Sequence, residues 1–595
     1  MQTAETVLNI IRERGQQGLP LERLYRQLFN RDLYLRAYGK LYRNKGAMTP
    51  GATTETVDAM SLTKIDDIIE AIRQERYHWT PVRRTYIPKS QGKRPLGLPT
   101  WSDKLLQEVI RQLLEAYYEP QFSPYSHGFR PGRGCHTALR EIQQWHGTKW
   151  FIEGDICSYF NTINHTLLLN ILAEKIHDNR FLRLIENFLK AGYLEQWQFI
   201  NNHSGVPQGG VLSPILSNLV LDKLDKFVQH TLIPANTRGK RRKTYTPYVA
   251  LTIKAWQARQ RNDGQTARQL KQQAQKLPSR DPNDPKFRRL TYCRYADDFL
   301  LGFTGPQAEA QVVKEQLAAF LKNELALELS QEKTLITHAR TEKALFLGYE
   351  IHTLHANTKH DHRGQRCING AIGLRVPKQV IHKHCAKYRR HGKPWHLMQR
   401  TIDTPCSIVA QYQTEYVGVV QYYRLAYNLH QLNQLKWVME TSLVKTLAKK
   451  LKISKAKVYR KYKTTYTNQD GTYKVLEVVV PRKEDKPPLV ARFGGVTLKW
   501  NRWAAINESE PIPIWSKRSE VVERLLAQKC ELCGGTERIE VHHIRKLSDL
   551  ATKGQTSKPE WVKRMAARRR KSLIVCQSCH NTIHSGQYDS AALSK

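Results

Sequence analysis

Two short apolar runs in this chain each end in a carboxylate, and the pair limits the fold more than any other feature. Trp150-Phe-Ile-Glu-Gly-Asp155 reads as a strand that delivers Asp155 at its carboxyl end. Thr291-Tyr-Cys-Arg-Tyr-Ala-Asp297-Asp298-Phe-Leu-Leu-Gly-Phe303 reads as a hairpin with Asp297 and Asp298 at its tip. Alone, the second segment would be an ordinary acidic turn, because Asp-Asp is a natural turn pair. Two strands that each end in Asp can meet at the edge of one sheet. Such carboxylates repel one another and are costly to hold together without a cation. Two magnesium ions, which prefer hard oxygen ligands, would relieve the repulsion. They would also activate a 3′-hydroxyl and stabilise a leaving pyrophosphate.

The composition points the same way. A length of 595 residues fits about four domains. With 40 % hydrophobic and 25 % charged residues the chain can bury a core, which excludes a disordered or low-complexity polymer. Lys and Arg total 95 against 53 Asp and Glu, a net charge of +42. That excess is tolerable when a polyanion normally covers the surface, and the expected partner is nucleic acid. A membrane is disfavoured, because no apolar run is long enough to span one. Residues 1–18 lack a secretory apolar block, so an intracellular protein is expected. Of ten cysteines, six are scattered and four form the pairs Cys530/Cys533 and Cys576/Cys579, which in a reducing compartment read as a metal site.

Along the chain, residues 1–80 look helical, with Ile65, Ile68, Ile69 and Ile72 at helical spacing. A hairpin is expected from Thr85 through Gly92 to Leu98, then a helix from Ser102 to Tyr118 capped by Ser102. A further helix is expected after Ser213-Pro214. Residues 236–290 hold 15 basic and 3 acidic residues and read as an inserted basic arm, either a solvated helix or a phosphate contact. Residues 376–463 look helical and basic, with ten Lys/Arg and one Glu between Leu435 and Lys463. Residues 464–513 read as a boundary region ahead of a compact terminal module.

Several motifs then fall into a recognisable order. Tyr295-Ala-Asp-Asp298 resembles the signature of reverse transcriptases. Ser204-Gly-Val-Pro-Gln-Gly-Gly-Val-Leu-Ser-Pro214 resembles a block of group II intron-encoded and related reverse transcriptases. Tyr125-Ser-His-Gly-Phe-Arg-Pro-Gly-Arg133, Leu329-Ser-Gln-Glu-Lys-Thr334 and Phe346-Leu-Gly-Tyr349 resemble the blocks on either side. The resemblance implies an α+β multidomain protein, a right hand of fingers and palm followed by a helical thumb. It implies that Asp155, Asp297 and Asp298 hold magnesium, and that Lys89 and Arg94 neutralise a triphosphate. It further implies that Phe160 excludes a 2′-hydroxyl and that Gln208 lies by the template–nucleotide pair. Lys333 would donate a proton to pyrophosphate or serve only as a surface charge. After Phe160 the family often has Asp, and this chain has Asn161.

The terminal module reads Cys530-Glu-Leu-Cys533, Glu540-Val-His542-His543, then Cys576-Gln-Ser-Cys579-His580-Asn-Thr-Ile-His584. Four thiolates in two close pairs suit tetrahedral zinc. A purely structural zinc module would explain the cysteines and leave four histidines without a purpose. The arrangement resembles a zinc-bound ββα-metal HNH endonuclease. By that resemblance His543 is the general base, and His542, His580 and His584 hold one divalent ion, magnesium being expected. The family's middle Asn is replaced by Lys571-Ser572. Six Lys/Arg between Lys563 and Lys571 would grip phosphates.

The expected organisation is therefore fingers and palm over 1–350, with the 236–290 insertion, and a thumb or maturase domain over 351–465, which Tyr422-Tyr423-Arg424 and Tyr427-Asn428 also resemble. A DNA-binding segment over 466–525 and the nuclease over 526–595 complete it. The resemblance implies a group II intron-encoded protein that binds intron RNA, assists splicing, nicks target DNA and polymerises dNTPs into cDNA. Its expected place is the bacterial cytoplasm or nucleoid, with an organelle as the alternative.

Overall fold

The computed structural model describes residues 2–44, 46–89, 92–330, 332–362, 366–482, 487–504, 519–550, 559–568 and 570–586. Parts of the expected DNA-binding segment (505–518) and of the terminal module (551–558, 569 and 587–595) lie outside them. The fold is mixed α and β. No helix among the described residues is long and apolar enough to cross a membrane.

At the centre is a four-stranded antiparallel sheet. Its order is Arg289–Tyr295, Asp298–Thr304, Trp150–Asp155, Ile336–His338. Both faces are apolar: Phe151 and Leu300 pack toward one core, Ile152 and Leu301 toward the other. Helix Trp101–Tyr118 runs through the first core almost wholly buried. It starts one residue before the expected Ser102, and Thr100 is its cap, accepting from the Asp103 N–H at 3.3 Å. Ser102 is engaged elsewhere, donating its hydroxyl to Glu55 at 2.6 Å. The hairpin Val82–Pro88 with Lys93–Leu98 forms as expected and continues through Tyr193–Glu195 into a second sheet.

The insertion is a helical hairpin, Thr246–Gln260 and Gly264–Lys276. Its ends are clamped together by the Tyr245 N–H donating to Ser279 O at 3.2 Å. The first of these helices has no buried residue.

Helices Lys378–Ala386, Pro405–Tyr422, Asn433–Leu451 and Lys455–Tyr462 share the second core. In the 422–428 cluster Tyr423 and Asn428 are buried, whereas Tyr427 is exposed. Tyr422 donates to Leu347 O at 2.7 Å and Tyr423 to Gly348 O at 3.2 Å, and Asn428 brackets Val376 N and O. These side chains satisfy backbone groups of the 346–349 turn and of Val376, and join the helices to a separate three-stranded sheet, Ala344–Phe346, Tyr349–Thr353 and Ile372–Arg375. The boundary expected at 466 falls inside a three-stranded sheet, Lys463–Asn468, Gly471–Val480 and Leu489–Phe493. That sheet lies on helix Pro405–Tyr422, where Gln413 and Gly494 exchange two hydrogen bonds of 3.0 and 2.9 Å.

The terminal module is an antiparallel pair, Ile539–His543 with Ser572–Cys576, followed by helix Gln577–His584. A third strand joins its edge from far away in sequence. Met60 pairs with Val541 and Ser61 with Glu540.

Candidate functional sites

In the central sheet Asp155 stands directly opposite Asp298, and the Asp298 strand pairs back to Tyr295 through the tight turn that carries Asp297. Like charges directly opposite are destabilising in a sheet. The strain shows in the acidities. Asp298 is pushed up to about 7 by desolvation, then by the charges of Asp297 and Asp155. Asp297 is raised by desolvation and by Asp155, against the opposing charges of Arg94 and Lys333. Three carboxylates gathered at one sheet edge form the donor set a hard divalent cation binds.

The turn is braced from behind. Arg294, fully buried, donates to the Ala296 carbonyl at 2.8 Å and pairs with the buried Asp225 at 2.6 Å. The Tyr125–Arg133 block passes beneath it. A Cβ on Gly128 would lie 2.3 Å from Ala296 N, so only glycine fits there. Neither Asp225 nor the buried Asn218 that also accepts from Arg294 carries a local sequence signal.

The other expected residues fall as follows. Lys333 places Nζ 2.5 Å from Asp155 Oδ2, and the salt link to Asp155 raises its pKa. Its loop is fixed by Ser330 N–H donating to Asp155 O at 2.9 Å. Phe160 and Gln208 line a cavity of about 400 Å³, with Arg84 and Gly97 of the 82–98 hairpin across from them. The hairpin is tied to this loop by Gly97 N–H donating to Gln208 O at 2.6 Å. Gly209 has φ +101°, and a Cβ there would lie 2.7 Å from Gly97 O. Arg94 is exposed on the hairpin, and its charge reaches Asp297. Lys89 is exposed near the hairpin tip, its N–H donating to Gly92 O.

In the terminal module the sulfurs of Cys530, Cys533, Cys576 and Cys579 lie within 4.8 Å of one another. The N–H groups of Leu532 and Cys533 point at Cys530 Sγ, and that of Gly535 at Cys533 Sγ, each at 3.4 Å. Backbone donors aimed at sulfur suit thiolates, so the cluster fits a zinc site. A second cluster joins His542, His580 and His584 to a residue the sequence reading missed, Asp58, all ligand atoms again within 4.8 Å. His542 is 4 % exposed, and neither of its ring nitrogens has a hydrogen-bond partner. Burial holds its pKa down at about 4, so the ring is neutral and one of its nitrogens offers a lone pair to an ion. Glu540 lies 2.8 Å from His580 Nδ1 and fixes that ring, as a carboxylate behind a metal-binding histidine does.

His543 does not join this cluster. Successive strand residues point to opposite faces, and its ring packs against helix Arg31–Leu41, with Nε2 2.9 Å from the Tyr38 hydroxyl. Burial pushes its pKa down to about 3. The Tyr38 hydroxyl is the ring partner of His543 in this structure. Ser572 pairs with His543 across the strands.

Comparison with known proteins finds three family matches along the chain. Residues 87–351 match the reverse transcriptase (RNA-dependent DNA polymerase) family, residues 375–486 the type II intron maturase family, and residues 530–580 the AI2M/AI1M-like HNH endonuclease family. The group II intron-encoded protein LtrA of Lactococcus lactis subsp. cremoris is 35% identical over 98% of this chain and 99% of its own length. A 91 kDa protein in the cob intron of Schizosaccharomyces pombe is 32% identical over 97% of this chain and 71% of its own length. The putative COX1/OXI3 intron 1 protein of Saccharomyces cerevisiae is 30% identical over 94% and 68%. Aligned end to end with such a relative and carrying all three matches in order, the chain belongs to the group II intron-encoded proteins, with reverse transcriptase, splicing and endonuclease roles.

Proposed function

We propose that the three activities serve intron mobility. The protein binds its intron RNA, the RNA enters one strand of a DNA target, the terminal module nicks the other strand, and the new 3′-hydroxyl primes cDNA synthesis. The observation that carries this reading is the convergence of Asp155, Asp297 and Asp298 beside the cavity lined by Phe160 and Gln208. In this reading 1–350 are fingers and palm, 351–465 the thumb, 466–525 a DNA-binding segment and 526–595 the nuclease. The site of action is the nucleoid of a bacterial host.

Two magnesium ions held by the three carboxylates would activate the primer hydroxyl and offset charge on the leaving pyrophosphate. The residues of the chain do the rest. Lys89 and Arg94 draw in the triphosphate of a dNTP. Phe160, edge-on to Phe129 with ring centroids 6.4 Å apart, would stack under the sugar and exclude a 2′-hydroxyl. Gln208 sits where the backbone approaches the template–nucleotide pair. Lys333, kept protonated by Asp155, is placed to give a proton to pyrophosphate. In the terminal module a zinc ion on Cys530, Cys533, Cys576 and Cys579 is structural. His542, His580 and His584 take the divalent ion, and His543 is the base.

The test uses two variants on intron ribonucleoprotein. Asp297→Ala/Asp298→Ala should abolish cDNA synthesis while RNA binding and nicking persist. His543→Ala should stop the nick but extend a primer already annealed to RNA. Substantial extension by the double variant in magnesium would sink the palm assignment. A normal nick by His543→Ala would remove His543 as the base.

A further inference from the structure

The second metal cluster draws on two domains. Its three histidines belong to the nuclease, and its carboxylate, Asp58, belongs to the amino-terminal part of the polymerase. The contact is built by the backbone. Ala59 N–H donates to Val541 O at 3.1 Å, and Met60 and Ser61 extend the nuclease sheet by one strand. That strand sets Asp58 at the sheet edge. Its Oδ1 accepts the His543 N–H at 2.7 Å and lies 3.3 Å from His580 Nε2, and its Oδ2 lies 2.7 Å from His584 Nε2. On the other face the Tyr38 helix covers His543, which is 4 % exposed. Helix Glu520–Leu526 packs on that same helix, and a Cβ on Gly39 would lie 2.8 Å from Ser519 Oγ.

Structural metal sites are closed by protein ligands, whereas sites that hydrolyse keep a position for the substrate. An ion among His542, His580 and His584 needs at least one place for an oxygen of the scissile phosphate. In this structure a carboxylate oxygen, also a hard anionic donor, fills the place beside those histidines. The orphaned nitrogens of His542 show that the pocket is shaped for an ion rather than for a hydrogen-bond network. We propose that the 58–61 segment and Tyr38 form a built-in closure of the nuclease. Asp58 occupies the phosphate position on the nuclease ion, Tyr38 caps His543, and DNA is cut only after both withdraw. This rests on the nuclease reading of the terminal module. The closure would keep a nuclease tethered to a strongly basic, DNA-attracting protein from cutting at random, and would tie opening to the docking of the correct target.

Two measurements on the full chain test it. The first is Mn²⁺ affinity in an Asp297→Ala/Asp298→Ala background, which silences the palm. Asp58→Asn should weaken binding at the nuclease at least tenfold. The same substitution in the otherwise native ribonucleoprotein should raise the initial rate of nicking on duplex DNA. Unchanged Mn²⁺ affinity would mean that Asp58 does not touch the ion. Slower nicking alongside weaker binding would place Asp58 in the cutting state. Either result overturns the closure. The second measurement is a lock. Met60 and Val541 are register partners across an antiparallel pair, a spacing that a disulfide can bridge. Oxidised Met60→Cys/Val541→Cys should lose nicking, regain it on reduction, and extend a pre-annealed primer in both states. Nicking at the normal rate while oxidised would overturn the closure with the nuclease reading intact. An absence of nicking in the native protein and every variant would overturn the nuclease reading, and the closure with it.

Discussion

Arg294 and Asp225 form an ion pair with no solvent exposure, Nη2 to Oδ2 2.6 Å, directly behind the Asp297–Asp298 turn. Every guanidinium donor is used. Nε and one Nη2 proton go to Asp225, the second Nη2 proton to Ser126 at 2.8 Å, and Nη1 to Asn218 at 3.1 Å and the Ala296 carbonyl at 2.8 Å. Removing one partner of such a pair leaves a buried charge and costs about 3–5 kcal/mol, whereas replacing both with apolar residues is closer to neutral. Asp225→Asn should therefore lower Tm sharply. Arg294→Met/Asp225→Leu should recover much of the stability yet remain poor at primer extension, because nothing then holds the Ala296 carbonyl. Thermal unfolding and single-turnover extension, measured on both variants, separate the two effects. Full activity in the stable double variant would show that the turn positions itself.

His127, in the same brace, gives the fold a pH dependence. Its Nδ1 lies 2.9 Å from Thr137 Oγ1, and its Nε2 is buried without a hydrogen-bond partner. Burial, then Arg133, Arg130 and Arg294, holds its pKa down at about 3. In the unfolded chain a histidine titrates near 6.5. Below that pH the unfolded chain takes up a proton that the fold refuses, so stability falls as pH drops from 6.5 toward 3 and is unaffected above 6.5. The loss approaches about 1.4 kcal/mol per pH unit. His127→Asn, which keeps an acceptor or donor near Thr137, should lose less Tm than the native protein between pH 7.5 and 5.5. Equal losses would assign the acid sensitivity to other groups.

The helical insertion offers an electrostatic test. Residues 246–276 carry six basic residues and one acidic, and leave Trp256 61% and Ile253 50% exposed. Phosphate contacts release counterions, so affinity for RNA falls with log salt in proportion to their number. Excising 246–276 and joining the adjacent ends with a short glycine linker should flatten the slope by up to about six. An unchanged slope would make the arm a solvated decoration.

What the sequence disclosed and what it hid divide along chain distance. The Asp155 strand and the Asp297–Asp298 hairpin were legible, because alternation and turn chemistry are local. So were the cysteine pairs and the His580/His584 spacing on one helix. Asp225 and Asp58 were not, because each acts on residues far away in sequence, 69 positions on to Arg294 and 522 on to His580. The strand that carries the Asp58 contact is two residues long and shows no periodicity. The role of Tyr422 and Tyr423 was hidden too, because an aromatic in a basic segment looks the same whether it is solvent-facing or, as here, bonds the carbonyls of Leu347 and Gly348. Ser102 misled because two hydroxyls compete for one cap, and Glu55, distant in sequence, engaged one of them.

A zinc ion on the four sulfurs would link the two clusters of the terminal module. Cys576 caps the helix that carries His580 and His584, and its Sγ lies 3.6 Å from Cys533 on the opposite loop. Burial and the neighbouring sulfurs raise the Cys579 thiol well above its ordinary value, and a cation would offset that cost. In small metal domains the binding free energy of zinc is about 10–16 kcal/mol and is drawn on for folding. A strong chelator should therefore release the helix, scatter His580 and His584, and melt the strand pair Ile539–His543 with Ser572–Cys576. Hydrogen exchange reads this segment by segment. Residues 539–543 and 572–584 should lose protection, and so should 59–61, whose strand exists only on the edge of that pair. Residues 150–155 and 289–304 should keep theirs, and extension of a pre-annealed primer should continue. Protection of 59–61 that survives chelation would show that the polymerase holds the segment in place by itself, and the strand would then be a docking edge that waits for the nuclease rather than one formed by it.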